Sequence, residues 1–161
     1  MNKPSRSRTA EGVAALTGLT LTVFRLHGAL LQWGDKLVEP LGLTSARWQM
    51  LGAMALAGEP LTAPQIGNAM GVTRQGAQKQ LNLLLELGLI AARPNPAHQR
   101  SPLYALTPDG SRLYARADAL WNARVAALTR EIHAADALSA TSTLDTMLRH
   151  LLASSGSPGA P

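Results

Sequence analysis

The sequence has no cysteine. Disulfides, thiolate redox sensing and cysteine-ligated metals are therefore excluded. Aromatic side chains make up only 4% of the chain and charged ones only 16%. With so few aromatics and so much alanine and leucine, helix is favoured over strand. Carboxylates are scarcest in one segment. Between Pro60 and Pro108 the only acidic residue is Glu86, against Arg74, Lys79, Arg93 and Arg100. No apolar run of about 18 residues stands out, so no membrane span is expected. The basic start MNKPSRSR is followed by no cleavable apolar segment, and a cytoplasmic location is expected. The histidines His27, His98, His133 and His150 lack metal-ligand spacing. Paired carboxylates, a nucleophile elbow and a phosphate-binding loop are missing too. Neither a metal, a cofactor nor an enzymatic activity is expected.

What remains is a chain of 161 residues, 46% apolar, with a net charge of +5. That length suits one domain with a modest core. The positive balance fits nucleic acid or another acidic surface as partner.

Residues 1–8 read as a disordered basic tail and 153–161 as a disordered tail of small residues. From Thr9 to Val38, Leu16, Leu19, Val23, Leu26, Leu30, Trp33 and Leu37 recur in steps of three and four, which predicts a long helix. Pro40 and Gly42 end it. Thr44 is a suitable N-cap for a second helix, Ser45 to Ala57, stopped by Gly58. Its buried face is predicted to carry Trp48, Leu51, Met54 and Ala55.

The most informative stretch is Leu61 to Leu106. Thr62-Ala63-Pro64-Gln65 reads as a capping box opening a short helix that Gly71 ends. Thr73 caps a second helix from Arg74 to about Leu87, with Leu81, Leu84 and Leu85 inward and Gly88 as the stop. Leu89–Ala92 and Leu103–Leu106 read as a two-stranded hairpin, joined by a proline-stiffened loop. Thr107-Pro108 begins another long helix, predicted to run to about His133, and a last helix carries Leu144, Met147, Leu148, Leu151 and Leu152. The fold class is mainly α with a small β-hairpin wing, a winged helix-turn-helix.

A helix of this kind fits the major groove of DNA and presents its first turns to base edges. Arg74, Gln75 and Gln78 carry donors and acceptors suited to guanine and adenine, and Lys79 is placed for a phosphate. Small Gly76 and Ala77 would let the backbone approach the groove. Thr62, Gln65 and Thr73 are candidate phosphate donors beside helix N-termini. In the wing loop, Arg93 to Ser101, Arg100 is the candidate for a narrow minor groove, flanked by His98 and Gln99. A second candidate site, near His27, Trp33, Arg47 and Trp48, places a cation beside aromatics, as an aromatic carboxylate would require. The alternatives to a sequence-specific regulator are a winged helix used for protein contact and a DNA binder without sequence preference.

The order of elements and the segments LTSARWQML, LTAPQIGNAMGVTRQGAQKQLNLLLELGLI and LYALTPDG resemble the MarR family of bacterial transcription regulators, over roughly residues 13–152. The resemblance implies an obligate homodimer. Residues 9–42 and 108–152 would form the helical dimerisation region and 43–107 the DNA-binding region. It also implies a pseudo-palindromic double-stranded operator, a repressor role, and release by a small aromatic or anionic effector. The family pattern has an Asp two residues before the wing arginine, and here that position is His98. Arg100 is then either less preorganised or braced by another group such as the Asp109 carboxylate, and a protonated His98 would add positive charge to the wing.

Overall fold

The computed structural model describes residues 3–155. Six helices and a small antiparallel sheet follow the order α1 (Lys3–Val38), α2 (Ser45–Ala57), β1 (Leu61–Thr62), α3 (Ala63–Met70), α4 (Arg74–Glu86), β2 (Ile90–Arg93), β3 (Leu103–Leu106), α5 (Pro108–Leu128) and α6 (Ala134–Ser155). The chain divides into two compact units between Leu120 and Trp121, inside α5.

Three predicted helix boundaries need correction. Helix α1 begins at Lys3, ahead of the predicted Thr9, because Pro4 falls in the first turn, where no intrahelical N–H is required. Helix α6 continues to Ser155, so Ala153, Ser154 and Ser155 are helical rather than tail. The rest of the two predicted tails, 1–2 and 156–161, lies outside the described residues. Helix α5 stops at Leu128, short of His133, and a turn leads into α6.

The expectation of no membrane-length apolar run is also corrected. The stretch Arg8–Leu41 is long and apolar enough to cross a membrane, by length and composition only. Between Gly12 and Gly34 its single charge is Arg25. Only its C-terminal end enters the core of this chain. Val38 is fully buried, whereas Val13, Leu16, Leu21, Phe24 and Leu26 are exposed, Phe24 by 69%.

That end of α1 is joined tightly to α2. Asp35 Oδ1 accepts the Ser45 N–H at 2.6 Å, and Thr44 Oγ1 accepts the Arg47 N–H at 3.3 Å. Two of the orphan donors at the start of α2 are thereby satisfied. A Cβ on Gly34 would lie 2.6 Å from Ser45 Oγ, so a larger residue would require the Ser45 hydroxyl to turn aside.

Helix α2 is the centre of the first unit. It contacts α1, α3, α4 and β3, so its buried arc is wider than one stripe. Leu51 and Met54 are buried as predicted, but so are Met50 and Ala53, while Trp48 and Ala55 are only half-buried. Ile66 of α3 and Leu81 and Leu84 of α4 are fully buried beside it.

The predicted hairpin supplies two strands of a three-stranded sheet, its first strand one residue later than the predicted Leu89–Ala92. Its order is β1-β3-β2, with β3 in the middle. Leu61 and Ala92 both pair with Tyr104. The two-residue β1 escaped prediction because so short a strand has no periodicity of its own.

Helix α4 ends in a Schellman pair. Gly88, at φ +67°, donates to Leu85 O at 2.9 Å, and the Leu89 N–H reaches Leu84 O at 3.0 Å. The start of α5 is fastened to this same exit. Thr107 Oγ1 donates to Gly88 O at 2.8 Å and accepts from the Gly110 N–H at 3.1 Å. The Thr107 N–H donates to Leu89 O at 3.1 Å. Gly110 lies so close that an added Cβ would overlap the Leu89 carbonyl oxygen.

Candidate nucleic-acid interface

Helices α3 and α4 are joined by the tight turn that the sequence predicts. Gly71 takes the left-handed conformation at φ +65°. The Val72 N–H donates back to Gly67 O at 2.9 Å. The two helices meet at Gly67, whose built Cβ would lie 3.0 Å from Val72 O and 3.5 Å from Ala77 Cβ. Ala77 is 0% exposed. Its small side chain therefore serves the contact between α3 and α4, which corrects the expectation that it faces a groove.

Both helix starts are capped as predicted. The Thr62 N–H donates to Gln65 Oε1 at 2.8 Å, and the Gln65 N–H donates to Thr62 Oγ1 at 3.4 Å. Thr73 Oγ1 accepts the Gly76 N–H at 3.0 Å. The cap oxygens are thus committed to the helix starts.

With Ala77, Leu81 and Leu84 inside, the opposite face of α4 is polar. Thr73, Arg74, Gln75 and Lys79 are exposed. Gln78 is half-buried at the edge of that face. Its Nε2 donates to Asn82 Oδ1 at 2.9 Å and to the Tyr104 hydroxyl at 3.0 Å. Asn82 belongs to the outer face that the sequence predicts, but Tyr104 was missed, because it is 26 residues away from Gln78 along the chain.

The wing loop is held by a residue that the sequence reading did not single out. Asn95 Nδ2 donates to Ser101 O at 2.9 Å, and Asn95 Oδ1 accepts the Ala97 N–H at 3.0 Å. An Asn-Pro pair is a recognisable turn signal, so it was open to detection. A cleft of about 500 Å³ between this loop and the start of α3 is lined by Thr62, Gln65, Asn95, His98 and Ser101, with Glu59 also on its wall. It brings three of the predicted residues together. Arg100 is exposed on the same loop. Asp109 is not its brace, because that carboxylate pairs with Arg112 one helical turn on.

The four residues of the second candidate site are only partly assembled. Trp48 Cζ3 lies 3.7 Å from the position of a Gly34 Cβ, which puts it against α1 next to Trp33 in the chain. The Arg47 guanidinium is occupied locally, donating to Thr44 Oγ1 at 3.3 Å and to Gly42 O at 3.4 Å. His27 is exposed on α1.

The profile of the MarR family matches residues 41–101, which span α2, the helix-turn-helix and most of the wing. An uncharacterised protein of Mycobacterium tuberculosis, Rv2011c, is 36% identical over 135 residues, covering 84% of this chain and 91% of its own length. The chain belongs to the MarR family.

Solved MarR-type structures share the fold. The transcriptional repressor CouR, bound to a 23-mer DNA duplex, is 25% identical with a TM-score of 0.66, covering 79% of this chain and 89% of CouR. NadR in complex with 4-hydroxyphenylacetate is 19% identical with a TM-score of 0.70, covering the same shares of the two chains, 79% and 89%. The architecture here is thus that of the MarR transcription regulators, a winged helix whose family function is DNA-binding regulation.

Proposed function

We propose that this MarR-family protein is a homodimeric repressor that reads a pseudo-palindromic operator and releases it when a small aromatic or anionic effector binds. The observation that carries the proposal is the outer face of α4. A capped helix presents Arg74, Gln75 and Lys79 outward over a fully buried Ala77 and Leu81. Arg74, Gln75 and Gln78 are the base readers, and Lys79 contacts phosphate. Thr62, Gln65, Thr73 and His98 flank the backbone, and Arg100 enters the minor groove. The dimer follows from the exposed apolar side chains of α1 and, separately, from Leu138, Leu148, Leu151 and Leu152 of α6. Contiguous apolar surface of that extent marks an interface. Two copies would place two α4 helices about one DNA turn, roughly 34 Å, apart. CouR, bound to a DNA duplex, supports the DNA reading.

The deciding experiment is selection of bound sequences from a random DNA pool. A two-fold-symmetric consensus is expected. Binding without any consensus would make the protein an architectural binder instead, and no binding at all would leave a protein-interaction module.

The effector site is placed at Trp33, Arg47, Trp48 and His27, by the logic of a cation beside aromatics and with NadR and its phenolic acid as the supporting relative. Titration with 4-hydroxyphenylacetate or salicylate while following tryptophan fluorescence tests it. A flat response at millimolar ligand removes this part of the proposal.

A further inference from the structure

Tyr104 belongs to the middle strand of the sheet and is only 3% exposed. A buried tyrosine hydroxyl needs a hydrogen-bond partner. Here the partner is the side-chain amide of Gln78, on the edge of the polar face of α4. The same amide is held from the other side by Asn82, one helical turn along. Gln78 is therefore clamped between a strand residue and a helix residue before any DNA arrives.

We infer that Tyr104 is a positioning residue that sets the base preference of Gln78, without itself touching DNA. The inference rests on the reading of Gln78 as a base contact. A free glutamine side chain spreads over many rotamers, and fixing it costs rotamer entropy at binding. A preset amide avoids that cost, and it presents one fixed arrangement of hydrogen-bonding groups to the groove. Fixed geometry is what turns a hydrogen bond into discrimination between bases. Both Gln78 N–H groups are engaged with Asn82 and Tyr104, which leaves Oε1 as the group free to face a base donor. Cytosine N4 and adenine N6 offer such donors in the major groove. The sheet thus acts on sequence choice through one hydroxyl.

The test uses the full-length protein and the consensus obtained from the random pool. Affinities are measured for the consensus, for its single-base variants and for random-sequence DNA. Gln78→Ala is expected to relax discrimination at one position per half-site by about tenfold. Tyr104→Phe removes only the hydroxyl and is expected to relax the same position by at least about threefold, leaving affinity for random DNA and the thermal midpoint close to wild type. In a Gln78→Ala background, Tyr104→Phe is expected to add nothing, because its effect runs through that amide. Asn82→Ala, at an exposed position that does not threaten folding, is the second arm and is expected to loosen the same position.

If Gln78→Ala relaxes one position while Tyr104→Phe does not, the inference falls and the base-reading assignment survives. If Gln78→Ala leaves the preference intact, both fall. Equal weakening of all sequences by Tyr104→Phe would assign the hydroxyl a purely structural role and overturn the inference. Should Tyr104→Phe not fold, Asn82→Ala decides, and an effect at a different position counts against it.

Discussion

Individual side chains on α4 separate into two kinds by what they would touch. Arg74→Ala is expected to weaken operator binding by about 1–3 kcal/mol and to relax one base position, as a direct base contact would. Lys79→Ala is expected to weaken all sequences alike and to reduce the slope of log K against log salt by about one, as one lost phosphate contact would. Anisotropy titrations across a salt series distinguish the two, and exchanged behaviours would mean that the helix enters the groove in another orientation. Tyr114 carries a different signature. Burial, with the Asp118 carboxylate second, raises its phenol above the ordinary value of 10.0. The folded state then holds that proton more tightly than the unfolded state does. The resulting stabilisation is fully present below pH 10 and is lost as pH rises through the folded-state value. Tyr114→Phe is expected to flatten the decline of stability above pH 10 in denaturant titrations. At this scale the caps were legible, because Thr44, Thr62 and Thr73 act on N–H groups three residues away. Ala77 was misread because smallness serves a groove or a helix contact equally well. Only Gly67 across from it settles which one applies.

Among the elements, those with local causes were readable and those with distant causes were not. The helix-turn-helix follows from two caps and Gly71, all within one short stretch of chain. Strand β1 depends on pairing with β3, more than forty residues on, and nothing in Leu61-Thr62 announces it. The wing loop lies between these cases. Prolines explain its stiffness, but its shape depends on Asn95. Asn95→Ala removes both the Ser101 and the Ala97 hydrogen bonds. Faster amide exchange across 97–101 is expected, with weaker operator binding if the loop reaches DNA. Unchanged exchange would show that the prolines alone hold the loop. Beneath these surfaces, Leu81 ties α4 to the core and is fully buried. Leu81→Ala is expected to cost about 2–5 kcal/mol in denaturant unfolding.

For the whole molecule, the decisive quantity is apolar surface that one chain leaves uncovered. The stripe on α1 was legible as a heptad-like pattern, but how little of it the chain's own core would cover was not. Phe24→Asp together with Leu16→Asp is expected to yield monomers in sedimentation at micromolar concentration, while the winged helix keeps its helical circular dichroism. An unchanged sedimentation coefficient would count against a dimer formed through α1.

The fastening between Thr107, Gly110 and the Gly88-Leu89 exit has a mechanical result. It leaves no slack between the root of α5 and the back of α4, so a tilt of one is inherited by the other, as through a welded bracket. Inserting a methyl into that weld, Gly110→Ala, would drive a Cβ into the Leu89 carbonyl and pry the two segments apart, and a lower midpoint in denaturant unfolding is expected.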